Sequence, residues 1–515
     1  MANWKNARRM TAVAVVPMLL AGCSLLRVAP HAKLEVMDPV LTTAYITRNH
    51  GFMVYDTLFA LDENLEPKPQ MVDKFTVSAD QKTWTFTLRD KLKWHDGTEV
   101  TAADCVASLR RWGKHDGAGQ QLFRQVESLA ASDDKTFTLK LRTGNGQVPQ
   151  TLAKMTGMVA FMMPRKLAES DRPITDPVGS GPYKYSTFWS VPWDNKIAYV
   201  KNKDYIGRLE PASLAAGNKE GEADRIEWIY FPSQTDAAQA LIDGRVDYVE
   251  SPSYKDVPML QASKRVVVGS TDPLGNLGMA RFNMLQPPFN NAAVRRAAAM
   301  AMQQEDYMKA ALGDGKYWRT CYSIYPCGTS LSAPNDELRA AGLEKARAAL
   351  AAARYDGSPV VLLNPVDSPV ISAFTQVTAE KLRAIGMNVV VEDMDWSTLT
   401  QRRNNRGPVG QGGWSMFHTW WLAADLADPN AIAFSGDPVN GWVGWLKDEE
   451  LEAARASYNG AATPAERKKI AEQVQRRVVA DVPFAVLGQF SEPVAYAKGL
   501  QGLTSPIQLY WQLHR

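Results

Sequence analysis

At 515 residues the chain is too long for one ordinary hydrophobic core, so two or more globular units are expected. Its 45% hydrophobic and 22% charged residues are those of a folded protein, which excludes a disordered one. The formal net charge of +3 resides in the first 22 residues, where Lys5, Arg8 and Arg9 meet no acid; the remainder is neutral and offers no basic stripe for nucleic acid.

Residues 1–22 read as an export signal, with a basic start, the apolar run "TAVAVVPMLLAG" and a small-residue end. The apolar run falls short of the roughly 20 residues that span a bilayer. "LAGC" (Leu20 to Cys23) resembles the lipobox of bacterial lipoproteins, which implies acylation at Cys23. Simple cleavage to a soluble periplasmic protein is the alternative, and the Arg8–Arg9 pair leaves Sec and twin-arginine export both open. Either route ends in the periplasm or cell envelope.

"LLRVAP" then predicts a strand, and "TTAYITRNHGFMVYDTLFAL" a helix with Ile46, Phe52, Val54, Tyr55 and Leu58 near one face. Between 72 and 142 the period changes to two. "WTFTLRD" sends Trp84, Phe86 and Leu88 to one side, and "TFTLKLR" does the same with Phe137, Leu139 and Leu141. Between them, Thr101 and Asp104 cap a helix carrying Cys105, Leu109 and Trp112 at helical spacing, so this region is a small α+β insertion with Cys105 buried. "DPVGSGPYKY" (176–185) is a tight turn entering a strand; without a following Lys-Ser or Lys-Thr and a helix, it is no phosphate cradle. "DRIEWIYFP" predicts a strand and "TDAAQALIDGRVDYVE" a helix.

A second unit begins near residue 277. "FNNAAVRRAAAMAMQQEDYMKAAL" predicts one asparagine-capped helix. In an oxidising compartment Cys321 and Cys327 of "CYSIYPC" are placed to form a disulfide, whereas a zinc site would need further Cys or His and the six histidines are scattered. "PVVLLNP", "PVISAFTQVTAEKLRAIG" and "MNVVVEDMD" spell strand, helix, strand, hence a right-handed βαβ unit with parallel strands. Then comes "HTWWLAADLADP" (418–429), with two indoles, a histidine and two carboxylates three residues apart. A catalytic acid pair needs two environments that separate the pKa values; a clamp needs one ionised carboxylate facing a ligand cation.

Four blocks, "LDENLEPKPQMVDKFTVSADQKTWTFTLRDKLKWHDGTEVTAADCVASLRRW" (61–112), "GSGPYKY" (179–185), "RFNMLQPPFNNAAVRRAAAMAM" (281–302) and "WWLAADLADP" (420–429), stand in the order found in the substrate-binding proteins of bacterial ABC importers. The chain resembles the family 5 class, similar to dipeptide-, oligopeptide- and nickel-binding proteins. The resemblance implies an α/β, two-lobe periplasmic-binding-protein type II fold with an extra α+β subdomain in lobe one. Lobe one is expected at 24–276 and 486–515, with the subdomain at about 60–172, and lobe two at 277–485.

In peptide-binding relatives an aspartate shortly before an acidic residue and proline pairs with the ligand's α-ammonium, and Asp425 falls there, although Trp421 precedes it by four residues instead of three; a helix cap or surface carboxylate is the alternative for Asp425. Asp428, before Pro429, reads as a turn residue. Trp414, Trp420 and Trp421 are candidate cleft walls, with core packing as the alternative for each. Tyr45 and Met279 fall where relatives approach ligand from lobe one and from the crossing strand. His418 raises a nickel or metal-chelate reading, but a lone histidine is a poor metal site. No nucleophile elbow, HExxH, CxxC, Walker A or dinucleotide fingerprint occurs in context. A carboxylate-pair hydrolase would need Asp425 and Asp428 about 5 to 9.5 Å apart across a substrate. The expectation is a receptor, not an enzyme. It needs no cofactor and no bound metal, acts as a monomer, and hands a peptide or small solute to an ABC permease with its ATPase subunits.

Overall fold

The computed structural model describes residues 24–515 except 271, 273, 314, 316, 459 and 462. The export signal and Cys23 lie outside the described residues.

Two sheets organise two lobes. The first has seven strands in the order Tyr183–Tyr185, Lys196–Lys201, Arg225–Ile229, Leu25–Ala29, Tyr248–Val249, Val494–Ala497 and Val266–Gly269. The expected strand "LLRVAP" lies at its centre, parallel to both neighbours, because Leu26 and Val28 point into the core of this lobe. The second sheet has six strands, Trp318–Arg319, Phe484–Phe490, Asn276–Phe282, Met416–Leu422, Val360–Pro365 and Val389–Met394. Val360–Pro365 and Val389–Met394 pair in parallel, and the helix Pro369–Ala384 joins them. That is the expected strand–helix–strand unit.

The chain crosses between sheets twice, from Gly269 to Asn276 and from Phe490 to Val494. The second crossing follows Phe490. Phe484–Phe490 pairs along its length with Asn276–Phe282, burying Phe484, Leu487 and Phe490 in the second lobe.

The small insertion is a four-stranded antiparallel sheet under a helix. Phe86 sits opposite Phe137 and Trp84 opposite Leu139, so the two alternating strands present one shared apolar face. The helix Ala102–His115 covers it with Cys105, Leu109 and Trp112, and Thr101 and Asp104 form the full reciprocal cap. Gly179 and Gly181 let the next turn cross the end of the helix Tyr45–Val54. A Cβ on Gly179 would lie 2.0 Å from the Val54 carbonyl oxygen, and the Gly181 amide donates to that oxygen at 2.8 Å. Close backbone approach, and not phosphate binding, is what these glycines serve.

Two expected helices are shorter than their patterns. The run from 42 onward is helical only over Tyr45–Val54 before it turns into short strands at Asp56–Thr57 and Phe59–Leu61. The run after Asn291 breaks into Ala292–Met300 and Gln304–Leu312. Buried Gln304 exchanges hydrogen bonds with the Cys321 backbone and donates to the Val486 carbonyl, which turns the second helix onto the strand Phe484–Phe490. Cys321 and Cys327 form the disulfide, and Cys105 is free and buried.

The lobes are in contact. From the subdomain helix Gly117–Gln125, Arg124 donates to Asp437 (3.0 Å) and Glu452 (2.8 Å), Gln121 to Glu452 (2.8 Å), and Gln120 to the Asn440 carbonyl (2.8 Å). The lobes therefore meet in a closed arrangement.

Candidate functional site

The strand Met416–Leu422 ends in a short 3₁₀ turn, Ala423–Ala427, that carries Asp425 to the boundary between the lobes. Its side chain is met from the other side by Tyr45, the first residue of the helix Tyr45–Val54. The Tyr45 hydroxyl donates to Asp425 Oδ2 at 2.6 Å and accepts from the Leu422 amide at 2.7 Å. Its ring stacks on Trp420 at 5.3 Å, while the Arg48 guanidinium lies over it at 4.4 Å.

Asp425 is only 6% exposed, and its Oδ1 is buried without a hydrogen bond of good geometry; Thr156 makes only a looser approach. Burial raises its pKa to about 7, against the attraction of Arg48, the Tyr45 hydrogen bond and the nearby Lys154. A half-neutralised carboxyl with an unused oxygen is a receptor for a cation. The space for one adjoins it. A cavity of about 370 Å³ is lined by Asp425, Asp428, Trp421, Lys154, Thr156 and Asp116.

Two further cavities lie along the same boundary. One of about 40 Å³ is walled by Tyr45, Trp420, Trp421, Trp442, His31 and Arg403. Another of about 500 Å³ runs between Asp38, Thr42 and His115 on one lobe and Arg403, Asn440 and Trp442 on the other. Aromatic walls with a few convergent polar groups are the usual make-up of a small-molecule site.

Residues 66–441 match the model for the middle region of bacterial extracellular solute-binding proteins, family 5. The chain belongs to this family. A probable peptide ABC transporter periplasmic-binding protein, y4tO of Sinorhizobium fredii, is 36% identical over 494 residues, covering 94% of this chain and 92% of the relative. The ABC transporter-associated periplasmic binding protein DppA of Helicobacter pylori, solved with the peptide STSA, superposes with a TM-score of 0.79 at 21% identity, covering 95% and 98% of the two chains. The binding protein AgaA of A. tumefaciens R10, solved with agropinic acid, gives a TM-score of 0.78 at 22% identity over 95% and 96%. The family is one of extracytoplasmic solute receptors. Among the described residues no helix is long and apolar enough to cross a membrane.

In this solute-binding protein Asp425, Tyr45, Trp420 and Trp421 converge at the lobe boundary, whereas Trp414 and Met279 do not. Trp414 is fully buried; its indole donates to the Arg403 carbonyl at 3.0 Å and packs on Phe417 and Trp445. It precedes the strand and fills the core behind the cleft wall. Met279 is fully buried in the second strand from that wall, in the same core, and lines none of the three cavities. His418 is fully buried, with both ring nitrogens bonded to Thr375 and Thr378, and burial pushes its pKa down to about 3. It faces the helix Pro369–Ala384, so it offers the cleft no metal ligand. Among the described residues no group of three or more His, Cys, Asp or Glu is placed to hold a metal.

Sequence reading missed Arg48, Lys154 and Arg403. Arg48 and Lys154 sit far from Asp425 in the chain, and only folding puts their charge beside it. Arg403 did carry a signal. Trp396, Leu399 and Arg403 follow helical spacing along the helix Trp396–Arg402 and its C-cap Arg403, where an arginine in an apolar phase marks a buried charge.

Proposed function

We propose that the protein captures a short peptide or similar amine-bearing solute between its lobes and delivers it to an ABC permease, whose ATPase subunits supply the energy. The observation that supports this most is the buried, unpartnered Oδ1 of Asp425 on a 370 Å³ cavity at the lobe boundary. A ligand ammonium placed there gains a charge-assisted hydrogen bond in a low-dielectric site and relieves the strain of a desolvated carboxylate. The names of the relatives agree, since one is called a peptide transporter component and another was solved with a peptide. Closure supplies the signal to the permease. Arg124 and its partners form only when the lobes meet, so bound solute shifts the population toward the form with a composite docking surface.

The receptor acts as a monomer held at the envelope by acylated Cys23. Lobe one comprises about 24–272 and 491–515, and lobe two the segment between. Native mass spectrometry of the purified protein, followed by calorimetric titration of alanine di-, tri- and tetrapeptides, tests the ligand class. Binding of at least one free peptide, abolished by N-acetylation and by Asp425→Asn, is the expected result. Retention of an amine-free solute, indifferent to Asp425→Asn, would replace the reading with a non-peptide receptor.

A further inference from the structure

Ser24, which follows Cys23 directly, is tied to the body of lobe one. Its amide donates to Asp224 Oδ2 at 2.8 Å, its hydroxyl accepts from the Asp224 amide at 2.9 Å, and Leu25 already pairs with Arg225 in the seven-stranded sheet. A lipid on Cys23 would therefore hold this corner of the sheet against the headgroups, with no linker to keep it away.

The edge of the same sheet displays aromatic rings. The hairpin between Tyr183–Tyr185 and Lys196–Lys201 carries Phe188, Trp189 and Trp193, of which Phe188 is 81% and Trp193 87% exposed. Among the described residues Phe75 is the one other phenylalanine or tryptophan left exposed. The loop is braced, so the display is fixed. Ser190 Oγ donates to the Ser186 carbonyl at 2.6 Å and accepts from the Ala198 amide at 2.9 Å, and Val191 and Lys196 exchange amide hydrogen bonds around the turn Pro192–Asp194. A contiguous group of large rings held out in water marks a surface that something covers.

Phe188 packs edge-on against Trp189 at 5.0 Å, and the Arg225 guanidinium lies 4.0 Å from the Trp189 ring. Arg225 directly follows Asp224, the residue that holds Ser24, so the rings and the chain start share one corner. Cations outnumber acids there. Glu227 alone answers Arg27, Lys196 and Arg225, at 3.7, 3.9 and 3.2 Å; Asp224 feels both Lys201 and Lys203, and Asp194 is the acid of the hairpin loop itself. Aromatic rings set among lysines and arginines suit a membrane–water interface, the rings at headgroup level and the cations on anionic lipid.

We infer that this face of lobe one, the loop from Phe188 to Trp193 with Arg225, Lys201 and Lys203, rests on the lipid surface and fixes how the receptor stands on the membrane. The lipid anchor belongs to the reading of Cys23 given above; the lipid-facing loop gives that anchor an orientation and is testable without it. A bilayer fits this face better than a protein partner does, because the chain end that would carry the acyl group leaves from the same corner. None of these residues lines a cavity of the lobe boundary, so solute binding is independent of them.

The test uses residues 24–515, which hold both sheets and their cores and lack the anchor. The protein is sedimented with vesicles of phosphatidylethanolamine and phosphatidylglycerol, and with vesicles of phosphatidylcholine alone. Binding is expected to favour the anionic vesicles. Phe188→Ser with Trp193→Ser should weaken it by on the order of tenfold or more, and Lys201→Gln with Lys203→Gln by roughly fivefold for each cation at low salt. Brominated lipid in the anionic vesicles should quench the native fluorescence. Trp189→Phe with Trp193→Phe should keep the binding and lose that quenching, with thermal melts confirming that every variant folds.

Failure of the native protein to bind either vesicle, or binding that survives unchanged in Phe188→Ser with Trp193→Ser, overturns the inference. Binding only to vesicles that contain the permease assigns the face to the transporter and overturns it equally. The mass of the N-terminal peptide from cell membranes judges the anchor separately: an unacylated chain whose residues 24–515 still bind vesicles removes the anchor and leaves the lipid-facing loop standing.

Discussion

If an ammonium binds the ionised form of Asp425, affinity must follow the protonation of that one group. In the empty protein its pKa stands at about 7 because burial outweighs the attraction of Arg48 and Lys154 and the Tyr45 hydrogen bond. At pH 7 about half of the molecules carry the charge, whereas at pH 5, two units below the midpoint, about one in 100 does. Binding should therefore weaken about 50-fold from pH 7 to pH 5, equivalent to about 2.3 kcal/mol, and fall again above about pH 8 as the ligand's own α-ammonium loses its proton. Isothermal titration in buffers of different ionisation enthalpy should also detect close to one proton released per ligand near pH 6 and a net uptake at pH 8, where the ligand amine must be protonated to bind. Asp425→Asn should bind weakly at every pH and release nothing. An affinity in the native protein that stays flat down to pH 5, with no proton released, would refute the assignment of Asp425 as the ammonium partner.

The same carboxyl sets a stability trend with the opposite benefit. A folded pKa raised from 3.8 to about 7 means that the native state holds its proton more tightly than the unfolded chain, so stability present below pH 4 is lost as the pH rises through 7. Asp425→Asn should raise the melting temperature of the empty protein at pH 8, with an upper bound of about 4 kcal/mol, and a lower melting temperature would contradict the geometry. Tyr45→Phe removes the donor to Asp425 and the acceptor of the Leu422 amide. It should move the pH midpoint of binding upward and cost about 1–2 kcal/mol in denaturant unfolding. Arg124→Ala removes two partly exposed interlobe ion pairs, worth about 1 kcal/mol or less each. Small-angle scattering should show a larger radius of gyration for the ligand-free variant, and affinity should fall less than about tenfold. Asp38→Ala strips the buried Arg111 of its bidentate partner and should cost about 3–5 kcal/mol, read from the urea midpoint.

Much of the fold is legible in the chain because it is written in local periods. The alternation of Trp84, Phe86 and Leu88 against Phe137, Leu139 and Leu141 gives a two-faced sheet wherever it is placed, and Thr101 with Asp104 starts a helix by hydrogen bonds three residues long. The order of the four blocks carries the family. Helix ends are less legible. The alanine-rich run after Asn291 favours an unbroken helix by propensity, and only the contacts of Gln304 with Cys321 and Val486, distant in sequence, explain where its second half turns.

By itself, then, the sequence determined an exported two-lobe receptor of the family 5 class, the disulfide of Cys321 with Cys327, and Asp425 as the residue at the lobe boundary to examine. The tertiary structure alone decided which neighbours count. Tyr45, from 380 residues away, reaches the Asp425 carboxylate, while Trp414, Met279 and His418 turn into the core. The reason is physical. Periodicity says which face of an element is buried, but both the core and a closed cleft are buried. What separates a wall from a filling is whether an opposing lobe leaves space there, and that depends on the packing of segments hundreds of residues apart.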